Sequence, residues 1–248
     1  MEPYASRLQE SLEADFPGRN IAVVPGDCNR TIAAALSDLG GVNWAPTFAF
    51  VDPNGADVHW SSLEALSKFK KSGRTKTEIW LLLAVGMFTR TLRVDGSVRL
   101  EDADRITNLY GTPQWEEIYR ARVNDHLTPS EARDEYVNLM RWRLEHVLGY
   151  KWTHSLEIFN EGGSSIYHMV FATDHSAGNK IMTDLYRKAA SEFPAMRKAA
   201  RQRRARLTRE EAGQFGLFGA ELDDLTAPIS RSEKLYDYSA PDPPYGSR

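Results

Sequence analysis

Phe48-Ala49-Phe50-Val51 runs a short apolar alternation straight into the acidic turn Asp52-Pro53-Asn54-Gly55. A second acid, Asp27, follows Ile21-Ala22-Val23-Val24 across Pro25-Gly26 in a similar way. In open α/β sheets, ligands bind beyond the carboxyl ends of the strands. An acid just past a strand is therefore well placed to accept a hydrogen bond from an amino or amide group. Pro53 has no N–H and a fixed φ, which stiffens the turn, and Gly55 permits close approach or a positive φ. The plainer use of the same residues stays open, because Asp-Pro-x-Gly is a common turn in which Asp accepts backbone hydrogen bonds. Asp242-Pro243-Pro244-Tyr245 offers a related tetrapeptide, but no apolar strand leads into it. A catalytic loop needs a rigid element to hold it, so we read this second tetrapeptide as coincidence.

Arg90 follows the apolar run from Ile79 to Phe88, which places it at the same edge of the sheet. Its planar fork of donors suits a phosphate or carboxylate; pairing with a local acid is the simpler alternative. In Thr173-Asp174-His175-Ser176 a strand gives way to a helix. Asp174 or Ser176 suits the N-cap there, and His175 is either a ligand or base, or part of a capping turn. His59, His126, His146, His154 and His168 show no metal-site spacing and read as structural or surface residues. Cys28 is the only cysteine and reads as a small buried residue. A lone cysteine excludes an intramolecular disulfide and a Cys cluster for zinc or iron–sulfur, and fits a reducing, intracellular compartment.

The elements that must position these residues follow from periodicity. Tyr4, Leu8, Leu12 and Phe16 recur at helical spacing. Ile21–Val24 reads as a strand, Thr31–Leu39 as a helix, Thr47–Val51 as a strand, Ser61–Lys71 as a helix and Glu78–Val85 as a strand. Alternation at this short spacing predicts parallel strands with crossover helices. Pro129 to Leu148 reads as a long helix with Pro at its start and Gly149 beyond its end. Trp152–Phe159 and Ile166–Ala172, joined by a short Gly-containing link, read as an antiparallel hairpin. Ala177–Arg206 reads as a helix interrupted near Pro194, and the remainder as a tail. Parallel strands followed by an antiparallel hairpin are the layout of the last part of a class I methyltransferase sheet. We therefore expect an incomplete Rossmann-like α/β domain over residues 1–186, with a basic helix and an acidic, Pro-containing tail over 187–248.

Hydrophobic residues at 42% and charged residues at 26% exclude a disordered or collagen-like chain. The acidic, amphipathic N-terminus is not a signal peptide. The longest apolar run is far too short to cross a bilayer, so a cytoplasmic protein is expected. The net charge of −3 conceals nine basic residues against one acid, Glu192, between Arg187 and Arg209. Such a stripe either tracks a nucleic-acid backbone or is a solvated face balanced by the acids after it.

Asp27-Cys28-Asn29, Phe50 to Gly55 and, above all, YHMVFATDHSAGNKIM from Tyr167 to Met182 resemble the three-Cys-motif partner protein family. The likeness covers about Tyr4 to Arg187. It implies a methyltransferase-like Rossmann fold and association with a radical-SAM-like three-Cys-motif protein, often in mobile-element contexts. By the same resemblance, S-adenosylmethionine is the cofactor, with Asp27 on its adenine side and Asp52, Pro53 and Gly55 toward a methyl acceptor. Arg90 and His175 are then expected as substrate contacts. The family pattern has a strand, a Gly-rich Asp-x-Phe-x-Gly-x-Gly-type loop and a second strand ahead of the region matching Tyr4, and no such loop precedes Asp27 here. We expect the true start codon to lie upstream; the alternative is a minimal variant that does not bind the cofactor. Two functional expectations stand side by side: a SAM-dependent methyltransferase acting on nucleic acid, and a non-catalytic partner of the three-Cys-motif protein.

Overall fold

The structure is a computed structural model that describes residues 2–70, 75–93, 95–160, 162–211 and 236–247. Its centre is a mixed, open four-stranded sheet of β1 (Phe48–Val51), β2 (Glu78–Leu83), β3 (Trp152–Phe159) and β4 (Ser165–Thr173), in the order β1-β2-β4-β3. β1 and β2 are parallel, in the register Phe48 to Glu78 and Val51 to Leu81. β4 runs antiparallel to both β2 and β3, with Ile79 opposite Ala172 and Trp152 opposite Thr173.

Eight α-helices are described: α1 (Glu2–Asp15), α2 (Cys28–Asp38), α3 (Trp60–Lys68), α4 (Val85–Thr91), α5 (Leu100–Tyr110), α6 (Trp115–Val123), α7 (Pro129–His146) and α8 (Ser176–Glu211). α7 begins where expected because Thr128 and Glu131 form a capping box and Pro129 opens the first turn. Gly149, at φ +73°, carries the chain away beyond its end. α8 continues through Pro194 without interruption, across the boundary expected at residue 187.

One sheet face carries the main core. Ile79, Leu81, Leu83, Val170 and Ala172 are each at most 1% exposed and pack with Leu63 of α3, Leu109 of α5 and Met140 and Leu144 of α7. The opposite face has a smaller cluster, where Met182 and Tyr186 of α8 cover Leu156 and Phe171. The terminal segment is not loose on this body. Pro241 and Pro244 are buried, Tyr245 packs against the main core, and Asn138 exchanges two hydrogen bonds with the Asp242 backbone at 2.9 and 3.0 Å. No described helix is long and apolar enough to cross a membrane.

Three expectations are corrected. Ile21–Val24 is extended but is not a strand of the sheet. The Gln9 side chain takes the place of a strand neighbour, its Nε2 donating to Ile21 O at 2.9 Å and its Oε1 accepting from Val23 N at 2.7 Å. A strand pattern becomes a strand only beside another backbone edge; here a side-chain amide satisfies the two groups. The strand expected over Glu78–Val85 ends at Leu83, and Val85 already belongs to α4, so Arg90 sits in a helix. Cys28 is exposed at the start of α2, not buried.

Candidate functional site

β1 delivers the chain to the carboxyl rim of the two parallel strands. Asp52 is exposed there, and its carboxylate has no hydrogen-bond or ion-pair partner among the described residues. Pro53 is half-buried and Gly55 buried. Gly55 has φ +77°, and a Cβ on it would lie 3.1 and 3.2 Å from Cε and Sδ of Met87 in α4. The backbone conformation favours glycine here, and any side chain would also have to displace the end of Met87.

Asp27 reaches the same rim without a strand beneath it. It is the N-cap of α2, in an extended conformation, and its Oδ1 accepts from the Asn29 N–H at 2.9 Å. Asn29 ties this turn to the chain beyond β1. Its Nδ2 donates to Asp57 O at 2.7 Å, while its Oδ1 accepts from His59 N at 2.7 Å and from the Ser62 hydroxyl at 2.9 Å. Asp57 in turn pairs with Arg105 of α5, whose Nε donates to it at 3.1 Å. Replacing Asn29 with alanine removes three bonds and leaves His59 N without its acceptor. A loss of about 1–2 kcal/mol is expected, read in urea unfolding, with faster amide exchange confined to residues 52–62.

The Arg90 backbone lies in α4, which leaves the same rim, but its side chain is outside the described residues. His175 is elsewhere. Because β4 is antiparallel, its end lies at the amino end of β2, where the Thr173 hydroxyl donates to Glu78 Oε1 at 2.7 Å. His175 Nδ1 accepts from Ala177 N at 3.1 Å and so caps the first turn of α8. Asp174, expected as a cap, is buried and accepts the Lys76 N–H through both oxygens at 3.0 Å. The structure therefore gathers Asp52, Pro53, Gly55, the Asp27–Asn29 turn and the α4 backbone at one rim, and puts His175 at the other.

A buried polar cluster between β3, α7, α8 and the terminal segment escaped the sequence reading. Arg141 donates to Thr153 Oγ1 at 3.1 Å, to Thr153 O at 2.7 Å and to Ser239 O. Glu145 accepts from Thr153 N and Oγ1 at 2.8 and 2.7 Å, and burial pushes its carboxyl above the usual range. His154 stands between the Tyr236 hydroxyl at 2.5 Å and Asn179 Oδ1 at 2.8 Å. Burial pulls its imidazole pKa down, against the opposing Asn179 bond. A neutral ring satisfies both neighbours, with Nε2–H donating to Asn179 and Nδ1 accepting from Tyr236. These bonds join one another and Ser239, so the cluster works as a fastening. Its one sequence signal is the run of three consecutive polar residues, Thr153-His154-Ser155, which breaks the alternation of the strand.

Several cations of the basic stripe are engaged: Arg187 reaches Asp237 at 3.5 Å, Lys188 reaches Glu192 at 3.9 Å, and Arg197 lies over the Phe159 ring at 5.2 Å. The side chains of Arg206 and Arg209 are outside the described residues. No group of three or more His, Cys, Asp or Glu suited to a metal ion occurs among the described residues. For S-adenosylmethionine the rim offers the second oxygen of Asp27. The described chain ahead of it is α1 and the extended segment held by Gln9, with no glycine-rich loop to approach the cofactor. The described residues alone do not make a seat for that group. Comparisons with protein-family models, curated proteins and solved structures find no match to this chain.

Proposed function

We propose that this chain is a docking subunit of the three-Cys-motif partner type, a methyltransferase-like sheet that presents its β1 side to a radical-SAM-like three-Cys-motif protein. One observation carries the reading: β1 is the outermost strand and its aromatic face is bare. It pairs with β2 alone. Phe48 and Phe50 are 52% and 54% exposed, and they meet Trp80 edge-on at 6.1 and 5.9 Å. Edge strands are ordinarily shielded by charge, proline, bulges or short length; Phe-Ala-Phe-Val has only its shortness. Trp44, just ahead of the strand, is exposed as well. Exposed apolar surface next to unpaired backbone is suited to another protein's strand or apolar ridge.

The test mixes this chain with a purified three-Cys-motif protein from the same source and follows the complex by size exclusion with light scattering. A defined complex is expected. Phe48→Asp with Phe50→Asp should weaken it by about 30-fold or more, as losing a hot-spot anchor does. No complex at tens of micromolar, or one indifferent to both substitutions, refutes the reading.

A second reading has its own support. Asp52 offers a carboxylate without a partner among the described residues, and Asn29 ties the Asp27 turn to Asp57 and His59 a few residues further on, which is an arrangement a methyltransferase-like enzyme would use to hold an amino group of a nucleic-acid base. Calorimetry with S-adenosylmethionine on the chain alone separates the two: saturable binding favours the enzyme, and no heat favours the docking subunit.

A further inference from the structure

The molecule has a half-open cavity of about 190 Å³ lined by residues of α4, α6 and α7. Val85, Phe88, Leu92 and Tyr136 make most of its wall, and Arg122 and Arg133 are the charged residues lining it among the described ones. We propose that this cavity is a binding site for a small amphiphilic monoanion, an aromatic or branched-chain monocarboxylate, with its apolar body among the helices and its carboxylate on Arg133. The proposal does not rest on the docking reading.

Size sets the body of the ligand. Apolar cavities of about 150 Å³ stay dry and accept a six-carbon ring, so this one takes about eight non-hydrogen atoms. Charge sets its head. No acid lines the cavity among the described residues. Arg122 already pairs with Asp125 at 3.2 Å, although Asp125 is 90% exposed and holds it weakly. Arg133 is half-buried on α7 and makes no ion pair among the described residues. Its guanidinium fork matches a carboxylate in two parallel bonds. The Tyr119 hydroxyl is spent on Arg93 O at 2.6 Å. A ligand polar at one end and apolar at the other therefore fits.

Phenylacetate is a suitable probe, with neutral phenylacetamide as its isosteric control, both followed by calorimetry and amide NMR shifts. Phenylacetate should bind with a Kd of about 0.1–1 mM, in keeping with so small a ligand. The amide should bind about 10-fold more weakly, for want of the charge-assisted pair. Arg133→Gln should lower phenylacetate affinity by about 10-fold and leave the amide unchanged. Ala132→Leu, which fills the cavity, should abolish both; should that variant fail to fold, the Arg133→Gln comparison decides alone. Equal affinity for the two probes, no binding of either up to about 20 mM, or phenylacetate binding unaffected by Arg133→Gln overturns the proposal.

Discussion

Replacing Arg141 with alanine is expected to cost about 3 kcal/mol of stability and to release the terminal segment 236–247. Arg141 is 9% exposed, and burial, opposed by the nearby Glu145 charge, lowers its guanidinium pKa. Its removal strands two carbonyls, Thr153 O and Ser239 O, and takes away the cation that balances a half-buried Glu145. Removing one member of a buried charged set costs more than the set contributes, because the partners stay desolvated. The terminal segment would still be held by Asn138, Tyr245, the Tyr236 and Tyr238 rings and the weak Arg187–Asp237 pair. Urea unfolding reads the stability, and amide exchange of residues 236–247 reads the release. A loss below about 1 kcal/mol with unchanged exchange would show that the cluster does not fasten the segment.

The second large effect is on pH. His168 lies on the core face of β4, opposite Leu83, 5% exposed, with its Nδ1 unpartnered. Burial, and then the neighbouring Arg133 charge, push its pKa down from 6.5 to about 3. The unfolded chain binds a proton on this residue at a higher pH than the folded one does. Stability from this group is therefore full above about pH 6.5 and is lost as pH falls from there toward 3. Between pH 7 and pH 5 the loss should be about 2 kcal/mol. His168→Leu removes the titration, so its unfolding free energy should change less over that interval and overtake the parent at pH 5. Parallel pH curves for parent and variant would contradict the assignment. His154, also shifted down by burial, acts in the same direction in both proteins and drops out of the comparison.

How far the sequence alone leads depends on whether a signal is local. The hairpin and α7 were readable because their determinants lie within a few residues: the capping box at Thr128 and Glu131, Pro129, Gly149, and two β-rich runs around a short Gly-containing link. Asp52 and Gly55 were readable for the same reason, since a strand and its turn are contiguous. The segment Ile21–Val24 has strand-forming residues, yet pairing is a property of a neighbour, and the Gln9 amide fills that role. Asp27 reached the rim by capping α2, not by ending a strand. The placement of His175 depended on the direction of β4 in the sheet, which no local spacing encodes. Arg141, Glu145, His154 and Tyr236 come together across as many as 95 residues, and polar residues that pair at that range look like surface residues one at a time.

The most direct test of the docking account is amide exchange on β1 with and without the three-Cys-motif protein. Peptides covering residues 47–52 should exchange markedly more slowly in the complex, while α5 to α7 stay unchanged. A complex that forms with β1 exchanging as fast as in the free chain would place the interface elsewhere and contradict the account.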